Sequence, residues 1–398
     1  MGIKKLNARQ NLKQYNDLLR YAFQVTEKQL LEYGWESEDI RQSKFPVLEK
    51  ARVLGWFDGE RLASQFAVYP LKMNVHGTIY NIGFVTSVAT YPEYTGLGLM
   101  SKLMRRSLEE MRKKGESLAI LYPFSIPLYR HRGWEIISDK MTFRIKDSQL
   151  PKHLESEGYV RRVETESPEL KRLHNTFAAQ THGCLLRNDL AWKEYWRWDV
   201  EDTSVAVYYN AQGQATGYMV YLLRENVMHI KEMIHLDQDA WRGLWKYISA
   251  HESMVEEVVG NNYSNEPLAF WLDDGDIRET IRPYIMGRIV DVRQFLEHYR
   301  FSPGTRAREF ALEVHDPFLE WNTGTFLVRV DRRGRCKVEQ GSAKNTVKLS
   351  LGMLTTMLFS YKRPLLLEKM GRIQADSRTI DLLESLLPRQ KAYISDYI

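Results

Sequence analysis

Residues 86–101 hold the pattern in this sequence that is most typical of a chemical role. A run rich in β-branched residues leads into Gly96-Leu97-Gly98, and apolar residues at helical spacing follow from Met100. Glycines at such a junction allow several backbone N–H groups to approach one ligand, and the N-terminus of a helix carries a partial positive charge. The pattern therefore predicts a site for a phosphorylated ligand, with an ordinary strand-to-helix turn as the alternative.

The segments around this turn predict the elements that position it. Alternating or β-branched runs predict strands at 51–57, 62–69, 71–75, 78–82, 84–90 and 118–122, with hairpins joining the first pair and the second pair. A helix is predicted to begin after Gly98 and to end near Gly115. The strand before the turn belongs to an antiparallel meander, and no Gly-Lys-Ser/Thr follows. Neither a dinucleotide-binding fingerprint nor a P-loop is therefore predicted.

Two segments together resemble the acetyl-CoA site of the GNAT acyltransferases. The glycine turn is similar to their Gln/Arg-x-x-Gly-x-Gly/Ala motif, with Glu93 where Gln or Arg is usual. Further along, Tyr129-x-x-x-Gly133-Trp134-Glu135 resembles a GNAT segment in which the tyrosine lies beside the thioester sulfur. The resemblance implies acetyl-CoA as the cofactor. Glu93 implies a weaker attraction for pyrophosphate, because it brings no positive charge.

The whole chain resembles the Eis-like (enhanced intracellular survival) acetyltransferases. Residues 283–292 are similar to their Met-x-Arg-Ile-Val-Asp link, and a weaker copy of the first α/β unit, without the glycine turn, lies at 204–251. Chance similarity of two α/β stretches is the alternative for that copy. The resemblance implies an α+β fold with two tandem GNAT-fold acyltransferase domains and a small sterol-carrier-protein-like α+β domain. The implied bounds are 1–147 for the catalytic domain that binds acetyl-CoA, 148–289 for a degenerate GNAT-like domain, and 290–398 for the last domain, whose C-terminus returns to the active site.

The resemblance also implies the chemistry, which is acetyl-CoA-dependent transfer of an acetyl group to an amine. The departing thiolate needs a proton, and the phenol of Tyr129 suits this general-acid role, with a buried structural tyrosine as the alternative. No internal carboxylate or histidine stands out as the base, so the resemblance assigns that role to the C-terminal carboxylate of Ile398; an unused, frayed terminus is the alternative. The implied cofactor-binding residues are Val88, Ala89 and Thr90 along the pantetheine arm, Thr95, Gly96, Leu97, Gly98, Leu99, Met100 and Ser101 at the pyrophosphate, and Ser125 beside the arm.

The acceptor is predicted only as a class of amine: an aminoglycoside or polyamine, a lysine side chain or an N-terminal amine. An amine favours acidic and aromatic surroundings, which the loop with Trp35, Glu36 and Glu38 offers, and Phe84 precedes the cofactor strand. Trp35 and Phe84 are therefore predicted to contact the acceptor. A solvated loop with one core tryptophan is the alternative.

Composition excludes several other classes of protein. A net charge of +5 over 398 residues gives no support for nucleic-acid binding, and no run approaches the roughly 18 apolar residues of a membrane helix. The cysteines, Cys184 and Cys336, make no disulfide framework, and the histidines show no His-x-x-x-His pair, so no metal is predicted. We expect a cytoplasmic protein without a nucleic-acid or membrane partner. The resemblance implies a homo-oligomer, a hexamer built from trimers.

A second class of function stays open from the sequence alone. In it, the GNAT part is catalytically degenerate, and the last domain binds a lipid or another small ligand. Glu93 slightly favours this alternative. Tyr129 and the intact pair of Gly96 and Gly98 favour an enzyme more strongly.

Overall fold

The computed structural model describes residues 2–32, 35–197, 202–264 and 266–397. The strands are β1 (Gly2–Lys5), β2 (Arg52–Asp58), β3 (Arg61–Val75), β4 (Thr78–Thr90), β5 (Leu118–Leu121), β6 (Glu135–Lys146), β7 (Tyr159–Val163), β8 (Leu185–Leu186), β9 (Ser204–Tyr209), β10 (Ala215–Arg224), β11 (Val227–His235), β12 (Glu257–Asn262), β13 (Arg278–Ile289), β14 (Arg308–His315), β15 (Gly324–Val330), β16 (Cys336–Gln340), β17 (Thr346–Ser350) and β18 (Ile373–Gln374). The helices are α1 (Ala8–Phe23), α2 (Glu27–Glu32), α3 (Ser37–Gln42), α4 (Phe45–Lys50), α5 (Leu99–Lys113), α6 (Ile126–Arg130), α7 (Pro168–Gln180), α8 (Asp189–Trp196), α9 (Gln238–Ser249), α10 (Val292–His298), α11 (Leu351–Leu358), α12 (Pro364–Lys369) and α13 (Ser377–Leu386). Short 3₁₀ segments lie at Pro92–Tyr94, Asp147–Gln149, Ala269–Trp271 and Glu320–Asn322.

Thirteen strands of the described chain join one large sheet. Their order is β1-β2-β3-β4-β5-β13-β6-β12-β11-β10-β9-β7, and β8 pairs with β3 beside this path. β13 is hydrogen-bonded between β5 and β6, although it lies at the end of the second α/β unit in sequence, and β6 continues to β12 of that unit. The two units therefore share one continuous sheet. The domain bounds at 147 and 289 stay predictions.

β3 and β4 form one long hairpin. The predicted hairpin of 51–57 with 62–69 is present as β2 and β3, whereas the predicted breaks between 69 and 71 and between 82 and 84 are wrong. Pairing runs from Val75 and Thr78 through Pro70 and Gly83 to the far end of both strands, with one register shift on the way. In the sequence, Pro70 indicates the end of a strand, because proline has no backbone N–H to donate to a neighbouring strand. It is tolerated because β2 pairs with β3 only as far as Val68, so a missing donor on that edge breaks no ladder hydrogen bond.

α5 packs its apolar face on this hairpin. Leu103, Met104, Leu108 and Met111 are fully buried against β2, β3 and β4, at the spacing that predicted the helix. Burying one side chain of this size contributes about 1.5–3 kcal/mol to folding. The face therefore fixes the helix on the sheet, with its N-terminus joined to the end of β4 by a 3₁₀ segment and the glycine turn.

The C-terminal part has its own five-stranded sheet, in the order β16-β15-β14-β17-β18, with β14 and β17 parallel. α11 lies against β13 and β6 of the large sheet. Thr356 on this helix donates to the backbone oxygen of Ile136 at 2.7 Å, and the His76 ring lies 3.0 Å from the backbone oxygen of Leu358. The last domain therefore packs directly on the strands that border the predicted active site.

A buried ion pair connects this last domain to β13. Arg288 on β13 and Asp316 after β14 are both fully buried in their side chains, and the guanidinium donates to the carboxylate at 2.5 Å. Asn322 also donates to Asp316, at 3.0 Å, and Arg288 donates a second hydrogen bond to the backbone oxygen of Arg132. Burial lowers the pKa of Arg288, and the neighbouring carboxylate opposes that effect. One guanidinium thus joins β13, the last domain and the loop after Tyr129.

Replacing Asp316 by alanine should destabilise the protein strongly, because the Arg288 guanidinium would be left buried without its counter-charge. Breaking a buried pair in this way costs about 3–5 kcal/mol in free energy of unfolding, which urea titration followed by tryptophan fluorescence would measure. The matched control is Glu297→Ala, which removes the exposed partner of Arg293 and should change little. Equal effects of the two substitutions would contradict a structural role for the Arg288–Asp316 pair.

Candidate active site

The glycine turn between β4 and α5 is open to a ligand. Gly96 has a φ of 85° and Gly98 a φ of 70°, a left-handed conformation that favours glycine. A Cβ atom built on either residue would meet no atom within 4 Å. The side chain between them, Leu97, is 53% exposed. The backbone of the turn is therefore shaped by the glycines and accessible from solvent.

The N-terminus of α5 adds a partial positive charge at the same place. Gly98 is the N-cap residue and supplies no side-chain oxygen to the first-turn N–H groups. Helices usually satisfy these groups with a Ser, Thr, Asp or Asn side chain. Leu99, Met100 and Ser101 form the first turn. An uncapped N-terminus beside an open glycine turn is the arrangement that binds phosphate groups in many proteins.

Arg132 brings a full positive charge to this helix end, which the sequence analysis missed. Its Nε and Nη2 lie 3.0 and 2.9 Å from the hydroxyl of Ser101, and its Nη1 donates to the backbone oxygen of Leu128 at 2.6 Å. The only sequence signal was its place three residues after Tyr129, inside the unspecified part of the Tyr-x-x-x-Gly-Trp-Glu segment. A cation at this point can attract the phosphate that Glu93 cannot.

Glu93 itself is paired with a neighbouring cation. Arg61 donates to its carboxylate at 2.6 Å and lies over the rings of Tyr91 and Tyr94. Both side chains of the pair are about half exposed. The negative charge that replaces the usual Gln or Arg of the motif is thus compensated locally.

β4 and β5 separate at the level of the predicted thioester site. Their parallel pairing ends at Val85 and Leu121, whereas β4 continues to Thr90 paired with β3. Ser87 has a φ of 53°, and the β3–β4 register shifts beside it. The strand therefore bulges where Val88, Ala89 and Thr90 begin. Backbone groups on this edge of β4 can pair with an extended ligand as a further strand would.

Tyr129 lies on the other side of this opening, on the short helix α6. Its side chain is 5% exposed, and its ring packs edge-on against Trp134 with centroids 6.0 Å apart. No described residue forms a hydrogen bond with its hydroxyl. Burial raises the pKa of Tyr129 to about 12, against a smaller lowering by Arg132. Ser125, four residues earlier, is the N-cap residue of α6, and its side chain makes no capping hydrogen bond.

An ion network inside the second unit holds the end of the chain. Arg187 is fully buried and donates to Asp396 at 2.6 Å and to Glu232 at 2.8 Å. The hydroxyl of Ser395 donates to Glu232 at 2.6 Å. Burial raises the pKa of Glu232, but the Arg187 guanidinium outweighs that effect and keeps it below its ordinary value. The tail is therefore fixed by charged groups that are removed from water.

The described tail ends beside β5. The hydroxyl of Tyr284 donates to the backbone oxygen of Asp396 at 3.0 Å, and the ring of Tyr397 lies 5.1 Å from the ring of Tyr122, the residue after β5. Ile398, whose carboxylate is the predicted base, lies outside the described residues. The chain end thus approaches the strand that borders the opening between β4 and β5.

The two residues predicted to contact the acceptor lie in different surroundings. Trp35 is half-buried and donates its backbone N–H to Leu30 at 3.1 Å. Phe84 is fully buried between its strand partners Tyr69 and Ile120, in the hydrophobic core. The structure therefore gives Phe84 a packing role, and a contact with the acceptor stays a prediction for both residues.

Neither a metal cluster nor a spanning helix was found in the part of the chain that the structure describes. No group of three or more His, Cys, Asp or Glu side chains could hold a metal ion among these residues. None of their helices is long and apolar enough to cross a membrane.

Family models match the chain in three consecutive parts. Models described as an acetyltransferase (GNAT) domain match residues 3–137 and 183–289, and a sterol carrier protein domain model matches residues 292–395. The GNAT matches together cover more than half of the chain. The chain belongs to the GNAT acetyltransferase family. The predicted fold class, two tandem GNAT-fold domains followed by a sterol-carrier-protein-like domain, is confirmed.

Relatives and solved structures agree with this assignment. An N-acetyltransferase from Streptomyces griseus, described as uncharacterized, is 23% identical over 314 residues, which cover 71% of this chain and 74% of that protein. A probable N-acyltransferase from Enterococcus faecalis V583 superposes with a TM-score of 0.89 at 26% identity and covers 100% of this chain and 99% of its own. Eis1 from Mycobacterium abscessus has a TM-score of 0.84 at 18% identity, with 100% of both chains covered, which shows a shared fold. The fold of this GNAT acetyltransferase is therefore Eis-like, as the sequence resemblance predicts.

Substitutions at Gly98 should separate charge from backbone strain in this GNAT turn. Gly98→Ala and Gly98→Asp both force a Cβ into a left-handed backbone, which costs about 1–2 kcal/mol. Only the aspartate adds negative charge beside the helix end, so it should weaken acetyl-CoA binding by about tenfold more than alanine does. Isothermal titration calorimetry measures both affinities.

The matched control for this test is Gly213, a glycine in the second unit with a φ of 73° and equally open surroundings. Gly213→Asp should reduce stability in the same way and leave acetyl-CoA affinity unchanged. Equal affinities of Gly98→Ala and Gly98→Asp would show that the phosphates lie elsewhere.

Proposed function

We propose that this protein transfers the acetyl group of acetyl-CoA to an amine, in the opening between β4 and β5. The observation that carries the proposal is the open glycine turn at the uncapped N-terminus of α5, with Arg132 at its first turn and Tyr129 across the opening. The alternative of a degenerate ligand-binding protein does not account for why these features occur together.

The residues at this opening fit acetyl-CoA. Acetyl-CoA would supply an activated thioester as the acetyl donor. Backbone N–H groups from Gly96 to Ser101 would bind the pyrophosphate, since the space beside both glycines is open. Thr95 would lie beside them, with its own N–H donated to the backbone oxygen of Pro92 at 3.0 Å. The free edge of β4 at Val88, Ala89 and Thr90 would hold the pantetheine arm, with Ser125 beside it.

Tyr129 would donate a proton to the leaving thiolate. With a pKa of about 12 the phenol keeps its proton throughout the neutral range, so it is always in the donating form. Its hydroxyl is also uncommitted to any described residue. The raised pKa makes it a weaker acid than an exposed tyrosine. The proton is therefore donated when negative charge develops on sulfur, and not before.

The C-terminal carboxylate of Ile398 would remove the proton from the attacking amine. The described tail supports this role because Arg187, Glu232 and Tyr284 anchor Ser395 and Asp396, and Tyr397 lies at Tyr122. Asp396 is a poorer candidate for the base. Its carboxylate is buried and paired with the Arg187 guanidinium, which faces away from solvent.

We also propose the domain organisation and surroundings of this activity. The bounds of 1–147, 148–289 and 290–398 and a homo-oligomer are proposed from the Eis-like resemblance. Contacts of Trp35 and Phe84 with the acceptor amine are proposed because an amine favours acidic and aromatic surroundings, and a cytoplasmic location is proposed from the composition.

Tyr129→Phe should lower turnover by roughly 100-fold, a usual size for the loss of a general acid. Acetyl-CoA affinity should stay within a few-fold, because the hydroxyl makes no hydrogen bond that holds the site together. Steady-state release of CoA and calorimetric titration give the two values. The control is Tyr247→Phe, which removes a hydroxyl bonded to Tyr221 in the second unit and should leave turnover unchanged. Unchanged turnover in Tyr129→Phe would exclude Tyr129 from the mechanism.

A peptide tag added after Ile398 should abolish acetyl transfer, because an amide cannot accept a proton near neutral pH. Acetyl-CoA affinity and thermal stability should be retained, since the anchors from Arg187 and Glu232 act on residues before the end. Turnover is compared with that of the same tag placed before Met1. Equal turnover of the two tagged proteins would show that the terminal carboxylate has no catalytic part.

A further inference from the structure

A cleft on the face of the large sheet adjoins the opening between β4 and β5. It has a volume of about 640 Å³, and its floor is formed by β6, β13 and β12 where the two GNAT units join. Tyr122 and Tyr397 line one end of it. Because Tyr122 directly follows β5, the cleft is placed to receive whatever is attached to the reacting amine.

Two cations lie side by side on the floor of this cleft. Lys140 on β6 and Arg282 on β13 are direct partners in the antiparallel register, and both line the cleft. Side chains at such positions have Cβ atoms about 4.5–5.5 Å apart, and like charges placed there destabilise a sheet. In the described ranges, neither side chain has an ion-pair or hydrogen-bond partner. Folding alone gives no reason for this repulsion.

The next pair along the same face carries hydroxyls. Thr142 on β6 lies opposite Thr280 on β13, two residues from Lys140 and Arg282, and both threonines line the cleft. Two cations and two hydroxyls within one patch are all able to donate hydrogen bonds. Such a set suits an oxyanion, which only accepts them.

The carboxylates of the cleft are already committed to other cations. Glu194 is paired with Lys44 at 3.1 Å and with Arg197, and Glu232 is paired with Arg187. Asp139, next to Lys140 in sequence, points to the opposite face and accepts from the hydroxyl of Tyr361 at 2.8 Å. Among the residues that the structure describes, no carboxylate of the cleft is therefore left to compensate the charge of the patch.

Two aromatic rings pack against the ammonium group of Lys140 and remove part of its hydration. Its ammonium lies 5.8 Å from the ring centroid of Tyr284 and 6.0 Å from that of Tyr263. Burial lowers the pKa of Lys140. A cation with part of its hydration removed binds an anion more strongly than one in bulk water.

We infer that the acceptor of this acetyltransferase carries an anionic group, a carboxylate or a phosphate, that binds between Lys140, Arg282, Thr142 and Thr280 while its amine reaches the opening at Tyr122. This inference rests on the proposed function for the reacting amine. The inference narrows the acceptor from any amine to amines that carry a negatively charged group on the same molecule. Amino acids and phosphorylated amines are examples of this class. Polyamines without an anion are the poorer acceptors.

The test compares acceptors that differ only in the anion. L-lysine and cadaverine differ by one carboxylate, and phosphoethanolamine and ethanolamine differ by one phosphate, so the two pairs separate the two kinds of anion. For at least one pair, kcat/KM should be roughly tenfold or more higher with the anionic member, the usual effect of a hydrogen bond to a charged group. In Lys140→Met and Arg282→Met, the ratio of kcat/KM between the anionic and the neutral member of each pair should fall towards one. The change should come mainly from a higher KM for the anionic member. Lys152→Met, an exposed lysine outside the cleft, is the control and should keep the ratio.

A binding experiment separates this inference from the proposed function. L-lysine and phosphoethanolamine are titrated calorimetrically into wild type, Lys140→Met and Arg282→Met without acetyl-CoA. Weaker binding of either compound to the variants than to wild type supports the anion site. If, in addition, no acceptor is acetylated, spermidine included, the proposed function alone is overturned. The inference is overturned if the variants bind both compounds as wild type does. Equal kcat/KM for the anionic and the neutral acceptors in wild type would also overturn the inference. The same holds if the variants keep the wild-type ratio of kcat/KM while kcat/KM falls for every acceptor, because Lys140 and Arg282 would then stabilise the protein and not bind the acceptor.

Discussion

The buried guanidinium of Arg288 is the contact on which the arrangement of the active site depends. It lies on β13, a strand that is inserted between β5 and β6, and it binds Asp316 of the last domain and the backbone of Arg132 in one set of hydrogen bonds. A charged group is stable in such a place only when a counter-charge and hydrogen bonds offset the loss of its hydration. The turn that follows α6 and Tyr129 is therefore held in position by residues far away in sequence, and the last domain contributes to that support through Asp316.

At the proposed phosphate-binding turn, a cation missing from the motif is supplied by a different part of the chain. The turn carries Glu93 where its family usually has Gln or Arg, and that carboxylate is paired with Arg61. Arg132 supplies a cation to the first turn of α5 from the opposite side. Since attraction of an anion depends on distance and not on which strand or helix provides the cation, the departure from the motif does not by itself make the turn unsuitable.

The second GNAT unit has no Gly-x-Gly turn in its sequence, and it contributes contacts that position parts of the chain near the first unit. It provides Arg187 and Glu232, which fix the tail as far as Tyr397, and β12, which continues the sheet from β6. Its contact with the first unit also creates the cleft over Lys140 and Arg282. The second unit therefore shapes the surroundings of the proposed reaction centre in the first unit.

Elements and motifs that depend on a few neighbouring residues could be predicted from the sequence. The strand-to-helix turn at Gly96 and Gly98, the buried face of α5 and the segment from Tyr129 to Glu135 were all predicted, because periodicity and glycine placement act over a few residues. The order of GNAT, GNAT and sterol-carrier-protein-like domains was predicted by resemblance. Only the tertiary structure decided what lies next to these elements. The insertion of β13, the place of Arg132 at α5, the burial of Phe84 and the opposition of Lys140 and Arg282 all join residues that are distant in sequence. Such contacts follow from how β-strands pair across the whole chain, and no local pattern of residue types encodes that pairing.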